Sequence, residues 1–255
     1  MLSLLDYLWL LPLGFVAGVI GSMIGLGGGF VVVPVLTFFG FAPTLAASDS
    51  LFAAFSNAVA STVSYARQKR IVYPLGIKLA LISIPGTILG AYISDGVSPP
   101  VFKIMFGMVL VSSGVYIYLR RKMESRERTL SKQLMVLVAG ASFFAGIISS
   151  LFGIGGGTVF VPLMVVAIGL SMKLAAPTSQ FILMFAAASG MIVHSILGHP
   201  NYYEAGMLSI GSFAGGIIGS KLSTRVNEGK LRIFITLVLG ITAAKLVIDA
   251  LAGPF

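Results

Sequence analysis

The chain contains no cysteine and only two histidines. Without a thiol there is no disulfide framework, thiolate zinc site, iron–sulfur cluster or cysteine nucleophile, and the redox compartment stays open. HExxH and GxSxG motifs are missing, as is any aspartate pair at protease or motor spacing. The expectation is therefore a non-enzyme, without cofactor or metal. Charge is scarce too, at 10% of 255 residues. That is well under the roughly one quarter of average proteins and too little for an ordinary wetted surface.

What is present is apolar, with 57% hydrophobic residues and a mean hydropathy of +1.01. Such content excludes a disordered linker, and 31 glycines without a three-residue period exclude collagen. Ten apolar runs cover the chain: 7–24, 30–41, 45–66, 74–94, 101–119, 134–152, 158–170, 174–197, 205–222 and 231–251. Eight of them have 18 to 24 residues, the length a helix needs to cross about 30 Å of hydrocarbon. The runs 30–41 and 158–170 are too short to span, and each follows a glycine cluster. They read as half-helices or as arms of re-entrant hairpins. The first run lacks a basic n-region and is longer than the h-region of a signal peptide, so it reads as part of the fold.

The formal net charge of +9 would suit nucleic acid if the basic residues formed one patch. They do not. No Lys or Arg precedes Arg67. Then come Arg67, Lys69 and Arg70; six between Arg120 and Lys132; and Lys173, Lys221, Arg225, Lys230 and Arg232. Placing those loops in the cytoplasm puts 14 of the 17 basic residues inside, as the positive-inside rule expects. The loops near Asp6, Asp95 with Lys103, and His199–Glu204 then face outward, together with both chain ends. Trp9, Tyr202 and Tyr203 fall at the outer interface, and Tyr73, Tyr116 and Tyr118 at the inner one. The expected setting is the cell membrane, with the lipid bilayer and no nucleic acid as partner.

The sequence also repeats. A shift of 128 places Gly18 on Gly146, Gly25 to Gly29 on Gly153 to Gly157, and Pro34 on Pro162. After one inserted residue the shift is 129, and Ser50 meets Ser179, Phe52 meets Phe181, Tyr73 meets Tyr202 and Gly86 meets Gly215. The expected division is a first repeat over 1–119, a basic cytoplasmic connector over 120–133 and a second repeat over 134–255. By the charge assignment one copy starts outside and the other inside. Inverted repeats with interrupted helices are an architecture of secondary transporters. The fold class that follows is all-α integral membrane, in two inverted-topology repeats with glycine-rich broken or re-entrant helices.

GLGGGFVVVP (25–34) and GIGGGTVFVP (153–162) are the strongest local feature. Consecutive glycines let backbone turn sharply and bare its N–H groups. Unpaired backbone at membrane depth is tolerated only against protein or a polar cavity. Two short helices starting there present N–H groups and dipole ends suited to a small anion. Gly14/Gly18, Gly86/Gly90 and Gly211/Gly215/Gly219 instead have the small-xxx-small spacing of helix packing. Neither glycine cluster is a P-loop or a dinucleotide fingerprint, since the following Lys-Ser/Thr and the strand context are missing.

Polar residues within apolar runs are functional candidates. Ser50 and Ser179 align, and offer hydroxyls either to an anion or to backbone carbonyls. Asn57, Thr158 and Gln180 add neutral donors. Asp49 reads as a first-turn acid near a helix N-terminus or as a proton carrier; His194, opposite Tyr65 in the repeat, as a structural imidazole or a proton carrier. Pro34 and Pro162 mark hinges.

The doubled G-x-GGG-x-x-x-x-P segment resembles the TauE/SafE family, also called the sulfite exporter or TSUP family, over essentially the whole chain. The resemblance implies export of a small sulfur-containing anion, such as sulfite or an organosulfonate like sulfoacetate. The family's motif maps onto Gly25, Gly27, Gly28, Gly29 and Pro34, and onto Gly153, Gly155, Gly156, Gly157 and Pro162. The expected device holds the anion between the two glycine tips and works by alternating access. The rivals are a passive anion channel, a non-transporting membrane assembly subunit and a cation carrier built on Asp49 and His194. Oligomeric state is left open.

Overall fold

A computed structural model describes residues 7–119 and 132–225 and scattered positions between 233 and 248, side chains of 116–119, 132 and 133 excepted. Among these residues the chain is helical throughout and has no strand. The central part of the expected connector, most of the run 231–251 and the side chains of Tyr116 and Tyr118 lie outside the described residues.

The helices are α1 (Leu10–Ile24), α2 (Gly29–Phe38), α3 (Pro43–Arg67), α4 (Tyr73–Ser94), α5 (Pro99–Leu119), α6 (Lys132–Phe152), α7 (Gly157–Leu163), α8 (Met172–Ile196) and α9 (Tyr202–Leu222). Their ends follow local chemistry. Gly25, at φ 79°, stops α1 in the left-handed conformation and returns its N–H to Gly21 and Ser22 carbonyls. Proline in the first turn starts α3 and α4, and the Asn201 side chain caps α9 by accepting from Tyr203 N–H. The two short runs are short helices. α2 has 10 residues, and α7 has 7 before a π-helical turn, Met164–Ile168, continues it.

Of the described helices, α4, α8 and the stretch Leu134–Phe152 of α6 are each long and apolar enough to cross a membrane. The other apolar runs fall short for visible reasons. α1 is helical only from Leu10 and has 15 residues, and the described apolar part of α5 ends at Val115. α3 carries nine Ser, Thr, Asn and Asp residues that dilute its hydropathy, and α9 carries Glu204, Lys221 and several glycines.

The long helices pack in the order α1, α9, α3, α8, α4, α6. α3 and α8 occupy the middle because they are rich in small residues. Ala46, Ala47, Ala54 and Ala58 on one, and Ala175, Ala176, Ala186 and Ala187 on the other, are buried, so neighbours approach from both sides. Glycine makes the outer pairs as close. A Cβ added to Gly18 on α1 would strike the backbone of Ser212 on α9, and one added to Gly146 on α6 would strike Ser83 on α4. Gly18 and Gly146 are equivalent in the repeat, as are Ser83 and Ser212, so both pairs use the same contact. Large apolar residues such as Leu81, Phe144, Ile192 and Ile210 point outward and are exposed, the reverse of a soluble domain and suited to lipid.

The equivalent helices α3 and α8 run antiparallel. Asp49, early in α3, accepts a hydrogen bond from Asn201, just beyond α8. Arg70, just beyond α3, donates to the carbonyl of Lys173 at the start of α8. Each half of the chain therefore lies upside down relative to the other. Trp9 packs on Phe39 at 4.9 Å and Phe41 at 6.4 Å between ring centres. The end of α2 thus returns to the level at which α1 began, as a hairpin would.

Candidate functional site

Both glycine clusters form tight loops at the centre of the molecule. Gly25, Gly27 and Gly28 have φ of 79°, 86° and 85°, and Gly153, Gly155 and Gly156 have 67°, 73° and 75°. These are left-handed values that side-chain-bearing residues rarely adopt. Gly28 and Gly156 are the N-caps of α2 and α7, and neither receives a side-chain cap. The loops press directly on one another. A Cβ on Gly29 would strike Gly153 O and Ile154, and one on Gly157 would strike Gly25 O and Leu26. The same holds against the central helices, where Gly25 lies on Ala176 and Gly153 on Ala47. Every residue from Gly25 to Phe30 and from Leu151 to Thr158 is buried.

The polar contacts come in matched pairs. Ser50 Oγ donates to Gly153 O at 2.9 Å, and Ser179 Oγ to Gly25 O at 2.7 Å. Val72 N–H donates to Thr178 Oγ1 and Asn201 N–H to Asp49 Oδ1, both at 3.0 Å. Tyr65 Oη donates to Ser22 O at 2.7 Å, and His194 Nε2 meets Ser150 O at 3.2 Å. Within each pair the residues are equivalent at the shifts of 128 and 129. The first two pairs close the two halves on each other, and the serines satisfy carbonyls of the opposite glycine loops; the third ties α3 to α1 and α8 to α6 within each half.

This assigns several candidates a definite present partner. The hydroxyl protons of Ser50 and Ser179 are directed at carbonyls of the opposite glycine loop. Asp49 is not a first-turn acid of its own helix, because α3 begins at Pro43. Its carboxylate receives the N–H of Asn201, the N-cap of α9, so the helix N-terminus it serves belongs to a different helix. His194 is buried, takes the place that Tyr65 has in the other half and also meets His199, Nδ1 to Nδ1, at 2.7 Å.

Other residues break the pairing. Gln180 Nε2 donates to Gly21 O at 2.9 Å while its Oε1 is buried without a partner; its counterpart is Leu51. Asn57, against Ala186, is fully buried beside Gly216, and both ends of its amide lack a partner. Thr158 Oγ1 is likewise buried and unpartnered, and the residue borders an apolar groove between α5, α6 and α7 with Ser113, Pro162 and Leu163. Pro34 and Pro162 sit inside α2 and α7, and the π-helical turn begins two residues after Pro162. Among the described residues no three His, Asp or Glu side chains converge on a metal position.

Sequence reasoning missed one central residue. The two δ-methyl groups of Leu183 lie 3.1 Å from where a Cβ would stand on Gly27 and on Gly155. Ala54 faces the same two glycines at 3.9 and 3.3 Å. Leu183 and Ala54 are equivalent, so one leucine fills the crossing of the loops from one side only. The signal was present as a Leu opposite an Ala in the aligned repeats. At one end of the molecule Arg70 Nη1 donates to Ser223 Oγ at 3.0 Å. A shallow recess lined by Gln68, Lys221, Thr224 and Arg225 adjoins it.

A family model described as sulfite exporter TauE/SafE matches residues 10–246. The chain is similar to the probable membrane transporter protein YunE of Bacillus subtilis (strain 168), 29% identical over 97% of this chain and 99% of the relative. It is similar to a probable membrane transporter protein of Methanocaldococcus jannaschii, 28% identical over 92% of this chain and 95% of the relative. A third relative, the probable membrane transporter protein YfcA of Escherichia coli (strain K12), is 24% identical over 92% of this chain and 87% of the relative. No solved structure matches the chain.

Proposed function

We propose, for a chain that belongs to the sulfite exporter TauE/SafE family and is a membrane transporter, that its cargo is a small sulfur-containing anion carried outward. Sulfite and organosulfonates such as sulfoacetate are the class. The observation that carries this reading is the crossing of two glycine loops at the centre of an antiparallel pair of halves. Loop N–H groups and the neutral side chains of Asn57, Thr158 and Gln180 supply donors without a fixed cation. Such a set holds an oxyanion weakly and releases it readily.

In the described conformation the crossing is filled by Leu183 and tied by Ser50 and Ser179. Transport then consists of parting the loops on one side, admitting the anion beside Asn57 and Gln180, and closing again. The two prolines provide the flexible points of α2 and α7. Ser50 and Ser179 move from carbonyl to anion in that step. The recess with Lys221 and Arg225, near Arg70, draws anions electrostatically to the cytoplasmic entrance. A negative-inside potential favours exit by about 2.3 kcal/mol per charge per 100 mV. The repeats over 1–119 and 134–255, the cell membrane, and chain ends outside complete the reading.

Proteoliposomes of the purified protein test it in a competition screen of sulfite, sulfate, sulfoacetate and taurine. Saturable flux with counterflow, competed by the sulfur oxyanions, is the expected result. Flux that fails to saturate points to a channel, and no flux of any anion points to an assembly subunit.

A further inference from the structure

We propose that His194 and His199 together bind a single shared proton, at a site that the other half of the molecule fills with the permanent charge of Arg70. His194 Nε2 faces the carbonyl of Ser150 at 3.2 Å. A carbonyl only accepts, so this nitrogen carries a hydrogen. His199 Nε2 faces Asp95 Oδ1 at 2.6 Å, and an ionised carboxylate only accepts, so that bond also holds a hydrogen. The remaining ring nitrogens, the two Nδ1 atoms, face each other at 2.7 Å. Two neutral rings have by then spent their N–H groups, and would meet there lone pair against lone pair. One further proton between them turns the contact into an N–H···N bond. The row from Asp95 through His199 and His194 to Ser150 then has a hydrogen at every step, with the pair's positive charge set against the Asp95 carboxylate.

The repeat supplies an independent argument. His194 is equivalent to Tyr65 and His199 to Arg70. The backbone agrees, since His199 N–H bonds His194 O at 3.1 Å and Arg70 N–H bonds Tyr65 O at 3.2 Å. Both turns place a left-handed residue just before, Gly198 at φ 76° and Lys69 at φ 54°. Tyr65 and His194 hold equivalent carbonyls, Ser22 and Ser150. Over the Tyr65 ring stands the Arg70 guanidinium, 5.2 Å from its centre. One half thus presents an aromatic ring with a fixed cation, the other two imidazoles at the matching places. A shared proton puts one positive charge at each of the matching places, permanent at Arg70 and removable from the imidazole pair.

Asp95, Asp49 and Glu204 are the acidic groups on the elements packed around the pair. α4 contributes Asp95, half-exposed with 52% side-chain exposure, against 11% for His199; the row therefore opens to solution at Asp95. α6 contributes Ser150, three residues before the second glycine loop. α3 and α9 contribute Asp49 and Glu204, whose Oδ1 and Oε1 engage the backbone and side chain of Asn201 respectively, while Asp49 Oδ2 and Glu204 Oε2 are buried without a partner. Loss of the proton breaks the Nδ1–Nδ1 bond and frees the turn after α8 from His194, whose Nε2–H stays on Ser150 O at the end of α6, beside the loop crossing.

His194 and His199 are the chain's two histidines, which makes the test direct. Heavy-nitrogen labelling of histidine in the full-length, tag-free protein in nanodiscs gives four ring nitrogens to assign by NMR. The expected result at about pH 6 is three nitrogens bearing hydrogen, with the shared one strongly deshielded. Two N–H nitrogens at every pH between about 5 and 8 would overturn the proposal. A second arm rests on the transporter reading. Flux in proteoliposomes should change several-fold when the pH at the Asp95 face is raised from about 6 to about 8. His199→Arg, which copies the Arg70 end, should abolish that change. A wild-type flux indifferent to pH overturns the link to transport. An absence of flux at any pH refutes the transporter reading and leaves the NMR result to decide the proton site.

Discussion

At the scale of the residue, position in the repeat separates scaffold from specialisation. Ser50 and Ser179 perform the same act on opposite glycine loops, so their loss should be equivalent. Ser50→Ala and Ser179→Ala each leave a buried carbonyl short of a donor, at about 1–3 kcal/mol. Similar falls in the melting temperature of the detergent-solubilised protein are expected for both. Leu183→Ala is a different experiment. It removes the side chain that fills the crossing between Gly27 and Gly155, costs about 2–5 kcal/mol, and should raise anion leak through proteoliposomes above the wild-type rate. An unchanged leak would count against Leu183 as the plug of the crossing. Glycine replacements are poorer probes of transport. Valine at Gly28 has to adopt φ near 85°, so its first effect is on folding. Identity and spacing made the glycines and serines legible in the sequence. The present partners of the serines were not, because a hydroxyl that can serve an anion can equally serve a carbonyl, and only the opposing loop decides. Asp49 was misread for a similar reason: nearness along the chain to the start of α3 hid its tie to α9.

Elements show which helix faces cannot tolerate bulk. Gly86 on α4 meets the backbone of Phe143, and its equivalent Gly215 on α9 meets that of Phe15. Gly86→Leu and Gly215→Leu should each wedge a helix pair apart and abolish recovery of monodisperse protein. Gly140→Leu, on the exposed side of α6 with no atom within 4 Å of an added Cβ, should be recovered at wild-type levels. Size-exclusion profiles of the three variants check this. Small-residue spacing foretold these contacts, but not which helices they join, since the spacing marks a face and not its partner. That α2 and α7 are short was legible from the length of their apolar runs and the preceding glycines. The π-helical turn after Pro162 was not, because the sequence around it is as apolar as its α-helical neighbours.

For the whole molecule, the antiparallel placement of α3 and α8 makes the topology directly testable. The natural chain lacks cysteine, so single cysteines at Gln68 and at Gly198 can be labelled without background. A membrane-impermeant thiol reagent should reach Gly198→Cys and not Gln68→Cys in intact cells; equal labelling of both would contradict the inverted arrangement. Charge sorting by loop already implied this at the sequence level, since hydropathy and lysine or arginine placement respond to the bilayer as a whole. The reciprocal bonds are not legible there, because they join residues over a hundred positions apart.

Those reciprocal bonds have a further consequence. Each half keeps its own glycine loop in shape with a hydroxyl borrowed from the other, so a lone half is missing a part that only an upside-down copy supplies. An isolated half could meet that need only by pairing with a second copy inserted the opposite way. Produced as separate chains, 1–119 and 134–255 should find one another and co-purify, while either alone should be degraded.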